Sequence, residues 1–342
     1  MRITPHTEAQ LDDRLSEPDT GVLDAVEHSP GDLIVLGAGG KMGFHLSRML
    51  QRSLMSLGRS DRVITVSRFR RQKTRVQFVQ AGFDVFQVDL SDPEQLCELP
   101  DAAGVFYLAG VKFGTQNRPD LLEQYNIQMP RLVTERYRHS RIVALSTGCV
   151  YPFVRPESGG AAEETPTDAP GDYARSCLGR EQACVDAAER WGTQSSLIRL
   201  NYSIDLRYGV LVDIAQKVLA GKPVGLDTGY VNVIWQRDAV SHIIQTLRHS
   251  SAPPFVLNVT GPEVVRIRDL AESFGRKFNR KVTFQGTEAD TAWLASSEKA
   301  CGLFGVPQTS IAQMIDWTAD WLKHDGVTLG KPTHFDARDG KF

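Results

Sequence analysis

The sequence predicts an α/β protein: a doubly wound parallel sheet with a smaller C-terminal α/β lobe. Three observations carry this reading. Residues 32–43 run from a buried-strand pattern straight into a glycine loop, short β-branched runs then alternate with longer amphipathic ones as far as residue 200, and the rhythm changes to scattered short elements beyond Asn201. Such alternation is what right-handed strand–helix–strand units leave in a sequence, and they build a parallel sheet.

The elements follow in order. Residues 1–30 read as an N-terminal extension, because Glu8, Asp12, Asp13, Glu17 and Asp19 interrupt the apolar core that a secretion signal needs. A short helix over Glu8 to Leu15 is expected to dock on the domain. Residues 31–200 form the sheet domain, with strands at Leu33 to Leu36, Arg62 to Val66, Asp84 to Val88, Gly104 to Leu108, Arg141 to Leu145 and Ser196 to Leu200. Long helices are expected at Pro119 to His139 and Asp172 to Arg190. Pro152 to Gly171, rich in Pro, Gly, Glu and Thr, reads as a long loop of the kind that covers active sites. Residues 201–328 form the substrate lobe, although sheet elements can interleave with it, and 329–342 remain as a tail. In the lobe, strands are expected at Asn232 to Ile234, Phe255 to Val259 and Val282 to Phe284, and helices at Gly209 to Ala220, Asp238 to His249, Ile267 to Phe278 and Ser310 to Lys323.

The chemistry begins in the first loop, Gly37-Ala-Gly-Gly40-Lys41-Met42-Gly43. Gly37 lets the chain turn off the strand, Gly40 lets backbone N–H groups approach a pyrophosphate, and Gly43 lets the helix pack close to the sheet. An anion would then sit at the positive helix end. This is the nucleotide cradle of an NAD(P)-binding Rossmann sheet.

Composition excludes several classes. The 39 basic and 41 acidic residues leave a net charge of −2, so no field gathers nucleic acid or an anionic membrane. No stretch approaches the roughly 18 apolar residues of a membrane span. The five cysteines show no Cys-x-x-Cys spacing, which argues against a disulfide framework or structural zinc and makes a reducing cytoplasm the expected compartment. The eight histidines include neither His-x-His nor His-x-x-x-His, so no metal is expected, and no Gly-x-Ser-x-Gly elbow marks a hydrolase.

Further motifs extend the pattern. Asp89-Leu90 follows the third strand, Leu108-Ala109-Gly110 the fourth, and Asn126 lies on the next helix. Then come Ser146-Thr147-Gly148-Cys149-Val150-Tyr151 and Tyr173-Ala-Arg-Ser176-Cys177-Leu-Gly-Arg-Glu181. From about residue 32 to 325 the chain resembles the extended short-chain dehydrogenases/reductases, the nucleotide-sugar epimerase and dehydratase family. The resemblance implies that Asp89 and Leu90 contact adenine, that Leu108, Ala109 and Gly110 form the turn below the cofactor, and that Asn126, Ser146 and Asn201 belong to the cofactor site. It implies that Thr147 and Tyr173 hold the reacting oxygen. It also implies a homodimer that pairs through the Pro119 to His139 and Asp172 to Arg190 helices.

Three positions depart from that family. Cys177 stands where the resemblance implies a lysine that binds the nicotinamide ribose and lowers the tyrosine pKa. Without a cation, a phenol near its reference pKa of about 10 is ionised only about one part in 10³ at pH 7, so base chemistry is slow while proton donation survives. Lys112 is the favoured substitute and Arg180, one turn beyond Cys177, the other. Val231 stands where the family's diphosphate-clamping arginine falls, and Asn201 is one residue out of register. The substrate is therefore expected to be a small sugar-like or sugar-acid molecule rather than a nucleoside-diphosphate sugar. Lys112, Phe113, Tyr151, Arg155, Asn201, Arg207, Tyr208 and Trp235 remain to shape its pocket, unless Arg207 pairs with an aspartate and the aromatics are core.

The second strand ends in Val66-Ser67-Arg68-Phe69-Arg70-Arg71, with no acid for ribose hydroxyls. Ser67 and Arg68 suit a 2′-phosphate, so NADP is expected, with NAD as the alternative. The reading is an NAD(P)-dependent oxidoreductase or epimerase. The alternative, motivated by Cys177, is a catalytically silent dinucleotide sensor or partner subunit.

Overall fold

The computed structural model describes residues 4–338; the remainder of the expected tail lies outside them. Strands β1 (Leu33–Leu36), β2 (Val63–Ser67), β3 (Asp84–Gln87), β4 (Gly104–Tyr107), β5 (Arg141–Thr147) and β6 (Ser195–Leu200) fall within two residues of their expected bounds. A seventh, β7 (Phe255–Val259), crosses back from the second half of the chain to pair with β6. The order is β3-β2-β1-β4-β5-β6-β7, every neighbouring pair parallel. Strands β1 and β4 are buried along their whole length because helices cover both faces, which is why they read as unbroken apolar runs.

Alternation divides the core in two. Leu33, Val35, Phe106 and Val143 point to one face with the Gly43–Ser56 helix, while Ile34, Leu36, Ile64 and Val105 point to the other. The strand order reverses at β1 and β4. That reversal opens a crevice at the carboxyl ends of the strands, where an open α/β sheet binds its ligand.

The N-terminal segment ties the two halves together. Helix Glu8–Leu15, capped by Thr7, gives Leu11 and Leu15 to the core of the second lobe, among Leu211, Ile214, Phe274 and Trp317. A second helix, Thr20–Glu27, capped by Asp19, gives Val22 and Val26 to the sheet core.

The expected Pro119 to His139 helix forms as one unbroken run to Arg136 but changes its winding midway. It runs α over Pro119–Leu122, π over Glu123–Gln128 and α again over Met129–Arg136. Pro130 has no N–H for the carbonyl four residues back, that of Asn126, and its ring crowds that turn, so the helix widens there. The expected strand at Asn232 to Ile234 likewise splits into Tyr230–Val231 and Ile234–Trp235. Between them the buried Asn232 amide donates to the carbonyls of Gly261 and Ala295.

Candidate functional site

The glycine loop sits at the crevice. Gly37 has φ +90°, and a Cβ there would come within 2.6 Å of the Ala109 backbone nitrogen. At Gly43 a Cβ would lie 2.1 Å from the Ala38 carbonyl, so the helix can start this close to β1 only with glycine. Two cavities, of about 280 and 530 Å³, share Gly37, Gly40 and Leu108 as walls, so they adjoin at the glycine loop as the two parts of a cleft.

The larger cavity is lined by Ser67 and Arg68 at the end of β2, by Asp89, Leu90, Ala109 and Gly110, and by Arg70, Arg71 and Lys331. The Arg68 guanidinium lies 4.6 Å above the Tyr125 ring, with Nη1 3.7 Å from Asp89 Oδ2. That Nη1 is buried and makes no hydrogen bond. A cation held this loosely over an open cavity suits a phosphate better than it suits the carboxylate it has.

The smaller cavity carries Lys41, Met42, Lys112, Thr147, Cys149 and Asn201. Lys41 Nζ donates to the Ser203 carbonyl at 2.9 Å and lies 4.3 Å from the Tyr208 ring centroid. Burial pulls its pKa down to about 8, against the opposing pull of Asp205. The Asn201 amide donates to Asn232 Oδ1 and to the Trp293 carbonyl, which fixes its side chain in the wall.

Tyr173 stands behind Cys149, which it packs against together with Ala174 and Trp293. Lys112 Nζ lies 5.3 Å from its ring centroid. Burial pushes the phenol well above its ordinary value; neighbouring Cys177 and Cys149 push the same way, and Arg180 opposes them. The Tyr173 hydroxyl donates to Cys177, a fully buried thiol that burial also holds protonated. Tyr173 is thus held as a neutral phenol.

Tyr173 lines neither cavity, and three more expected residues, Asn126, Ser146 and Arg180, likewise lie outside the cleft wall. Asn126, in the π turn, accepts from the Val111 amide at 2.9 Å and donates to the Val111 carbonyl and to Ser176 Oγ. Ser146 donates to Glu181 at 2.6 Å, and Glu181 in turn holds Arg199. Arg180 donates to the Leu145 carbonyl and to Asn126. A Cβ at Gly110 would fall 1.9 Å from its Nη2, so that glycine makes room for the guanidinium.

Of the residues expected to shape a substrate pocket, Lys112, Asn201 and Tyr208 line the cleft and others do not. Tyr151 is buried, donating to Asn258 and accepting from Arg199. Trp235 packs in the second core against Trp317. Arg207 is held 2.9 Å from Asp12 and 3.7 Å from Asp205. Lys331 and Thr333 line the cleft although nothing in their local sequence marks them. Outside the cleft, His6, Asp320 and His324 bring ligand-type atoms within 4.8 Å of one another, a grouping no sequence spacing reveals.

Fold and cleft together define a Rossmann-type dinucleotide-binding α/β protein. Residues 33–253 match the profile of the NAD dependent epimerase/dehydratase family, and the chain belongs to that family. Among solved structures it is similar to a UDP-galactose 4-epimerase, at 21% identity and a TM-score of 0.68 over 86% of this chain and 99% of that one. A UDP-glucuronic acid 4-epimerase from Bacillus cereus in complex with NAD gives 18% identity and a TM-score of 0.71, covering 85% and 98%. A dTDP-glucose 4,6-dehydratase double mutant from Streptomyces venezuelae, with NAD bound, gives 17% and 0.71, covering 85% and 96%. No curated protein matches the chain.

Proposed function

We propose that this protein is an NADP-dependent oxidoreductase or epimerase acting on a small sugar-like or sugar-acid substrate. The single observation that carries the reading is that a cation-lined cavity at Arg68 and a second cavity at Thr147 and Lys112 share the glycine cradle as a wall. The cradle fits a dinucleotide, because Gly37 and Gly43 leave backbone where any side chain would intrude. A bound nicotinamide supplies hydride-transfer chemistry.

The chain's own residues supply the rest. Arg68 and Ser67 take a 2′-phosphate, and Lys41 with the helix start at Gly43 faces the diphosphate. Thr147 and Tyr173 hold the substrate oxygen, and Tyr173, kept protonated by burial and Cys177, gives the proton in reduction. Lys112 orients the substrate from the cleft side of the Tyr173 ring. Val231 is buried and paired with Val265, so its strand offers no cation for a nucleoside diphosphate. This supports a smaller substrate than the nucleotide sugars named for the neighbours. The reading also has the chain cytoplasmic and dimeric, the latter checked by light scattering.

The test is turnover of NADPH with a panel of keto sugars and sugar acids. Wild type reduces at least one, and Tyr173→Phe loses about 10²–10⁴-fold. Tight NADP binding with no turnover on any member, in either protein, would instead favour a silent sensor.

A further inference from the structure

After the last helix, Ile311–Lys323, residues 329–338 run back along the second lobe and bring Lys331 and Thr333 to the cleft. They are pinned at several points. The Leu329 amide donates to the Arg207 carbonyl at 2.9 Å, and Thr333 donates from its amide and its hydroxyl to Asp213 Oδ2 at 2.7 and 2.5 Å. Phe335 is buried in the second core, its carbonyl accepting from Thr228 at 2.9 Å, and Arg338 donates to the Thr291 carbonyl at 2.6 Å. Thr333 lines the smaller cavity and Lys331 the larger, so this one segment spans both.

Lys331 therefore hangs between two anchored residues. Lys331 is exposed at the cavity where Arg68, Arg70 and Arg71 already gather, and among the described residues Asp89 is the one acidic residue lining the same space. Four cations facing one carboxylate leave a local excess of positive charge in a chain whose net charge is −2. A solvated surface lysine needs no anchored backbone on either side of it. A phosphate ligand of several charges explains both the excess and the anchoring, since charge-assisted bonds to phosphate repay a fixed donor position.

We infer that Lys331 is a specificity-determining residue that binds the adenosine 2′-phosphate of NADP, making the 329–338 segment a strap that belongs to the cofactor site. The inference rests on the proposed dinucleotide reading. Arg68 reaches the phosphate from the sheet side and Lys331 closes on it from the strap. Selectivity for the phosphorylated cofactor is thus shared between a residue at the end of β2 and one from the far end of the described chain.

The experiment is calorimetric titration of wild type, Lys331→Ala and Lys331→Arg with NADP, NAD, 2′,5′-ADP and 5′-ADP. Loss of one charge-assisted phosphate bond weakens NADP and 2′,5′-ADP by about tenfold or more in Lys331→Ala. NAD and 5′-ADP stay within about twofold, and Lys331→Arg restores most of the loss. Equal weakening of all four ligands would overturn the assignment, because it would move Lys331 to the shared diphosphate; so would an unchanged NADP affinity. Wild type that binds neither dinucleotide defeats the functional reading instead. The 2′,5′-ADP arm then decides Lys331 separately: a preference over 5′-ADP that Lys331→Ala abolishes upholds it, and no preference overturns it.

Discussion

Arg180 Nη2 donates to Asn126 Oδ1 at 2.9 Å, and this pair occupies the ground beneath Tyr173 where the family resemblance implies a lysine. Tyr173, Cys177 and Arg180 are spaced to share one face of the Gly171–Trp191 helix. The guanidinium is buried, and its Nε makes no hydrogen bond. It donates to a carbonyl and an amide oxygen, so the charge is positioned by neutral groups and remains directed at the tyrosine and thiol beside it.

That arrangement predicts a strong coupling between Gly110 and Arg180. Gly110→Ala would place its methyl 1.9 Å from Nη2, and the displaced guanidinium would lower stability by about 1–3 kcal/mol. Combining it with Arg180→Ala should give less than the sum of the two losses, which a double-mutant cycle on urea denaturation measures.

The Arg199–Glu181 pair behaves as a buried ion pair. Arg199 Nη2 donates to Glu181 Oε2 at 2.8 Å, Nε donates to Oε1 at 3.1 Å, and burial together with Ser146 and Tyr151 completes the network. Glu181→Gln leaves the guanidinium uncompensated and is expected to lower stability by about 3–5 kcal/mol, whereas Glu181→Gln with Arg199→Met recovers part of it. Thermal melts of the three proteins check this.

Lys41 predicts an opposed pH dependence of stability and of binding. Its pKa in the fold, about 8, lies below the 10.5 of an exposed lysine, so the unfolded chain binds more protons between those values and this residue's contribution to stability rises with pH across the window. Cofactor phosphate needs the ammonium, so NADP affinity falls as pH rises through about 8. Lys41→Met should remove this residue's share of both, seen as shallower slopes than wild type by calorimetry and denaturation from about pH 7 to 10.

Thiol chemistry should separate the cysteines. Cys177 is fully buried with its pKa raised, and Cys97 is exposed. Iodoacetamide at about pH 8 is expected to label Cys97 first and to leave Cys177 unmodified in the folded protein, as peptide mass spectrometry reads. Rapid labelling of Cys177 would contradict the packing around Tyr173.

Much of this was legible before the fold was known. The strand β1 and its glycines, the helix Glu8–Leu15 and the basic end of β2 announce themselves because local spacing and apolar runs determine them. Other features depend on contacts that sequence does not order. Tyr151 and Trp235 look alike as wall or core until the fold buries them, and Arg207 finds Asp12 in a segment whose docking partner has no local signal. The π turn at Asn126 follows from Pro130, which was readable but sits inside an otherwise helical pattern. Lys331 reaches the cleft only because anchors at Arg207 and Asp213 carry the chain there.

One phosphorylated dinucleotide is expected to lie along the whole cleft. A crystal structure of the protein grown with NADP tests it most directly. The adenosine 2′-phosphate is expected among Ser67, Arg68 and Lys331, with the nicotinamide beside Thr147 and Tyr173. An empty cleft at saturating NADP, or a nicotinamide turned away from Thr147, would contradict it.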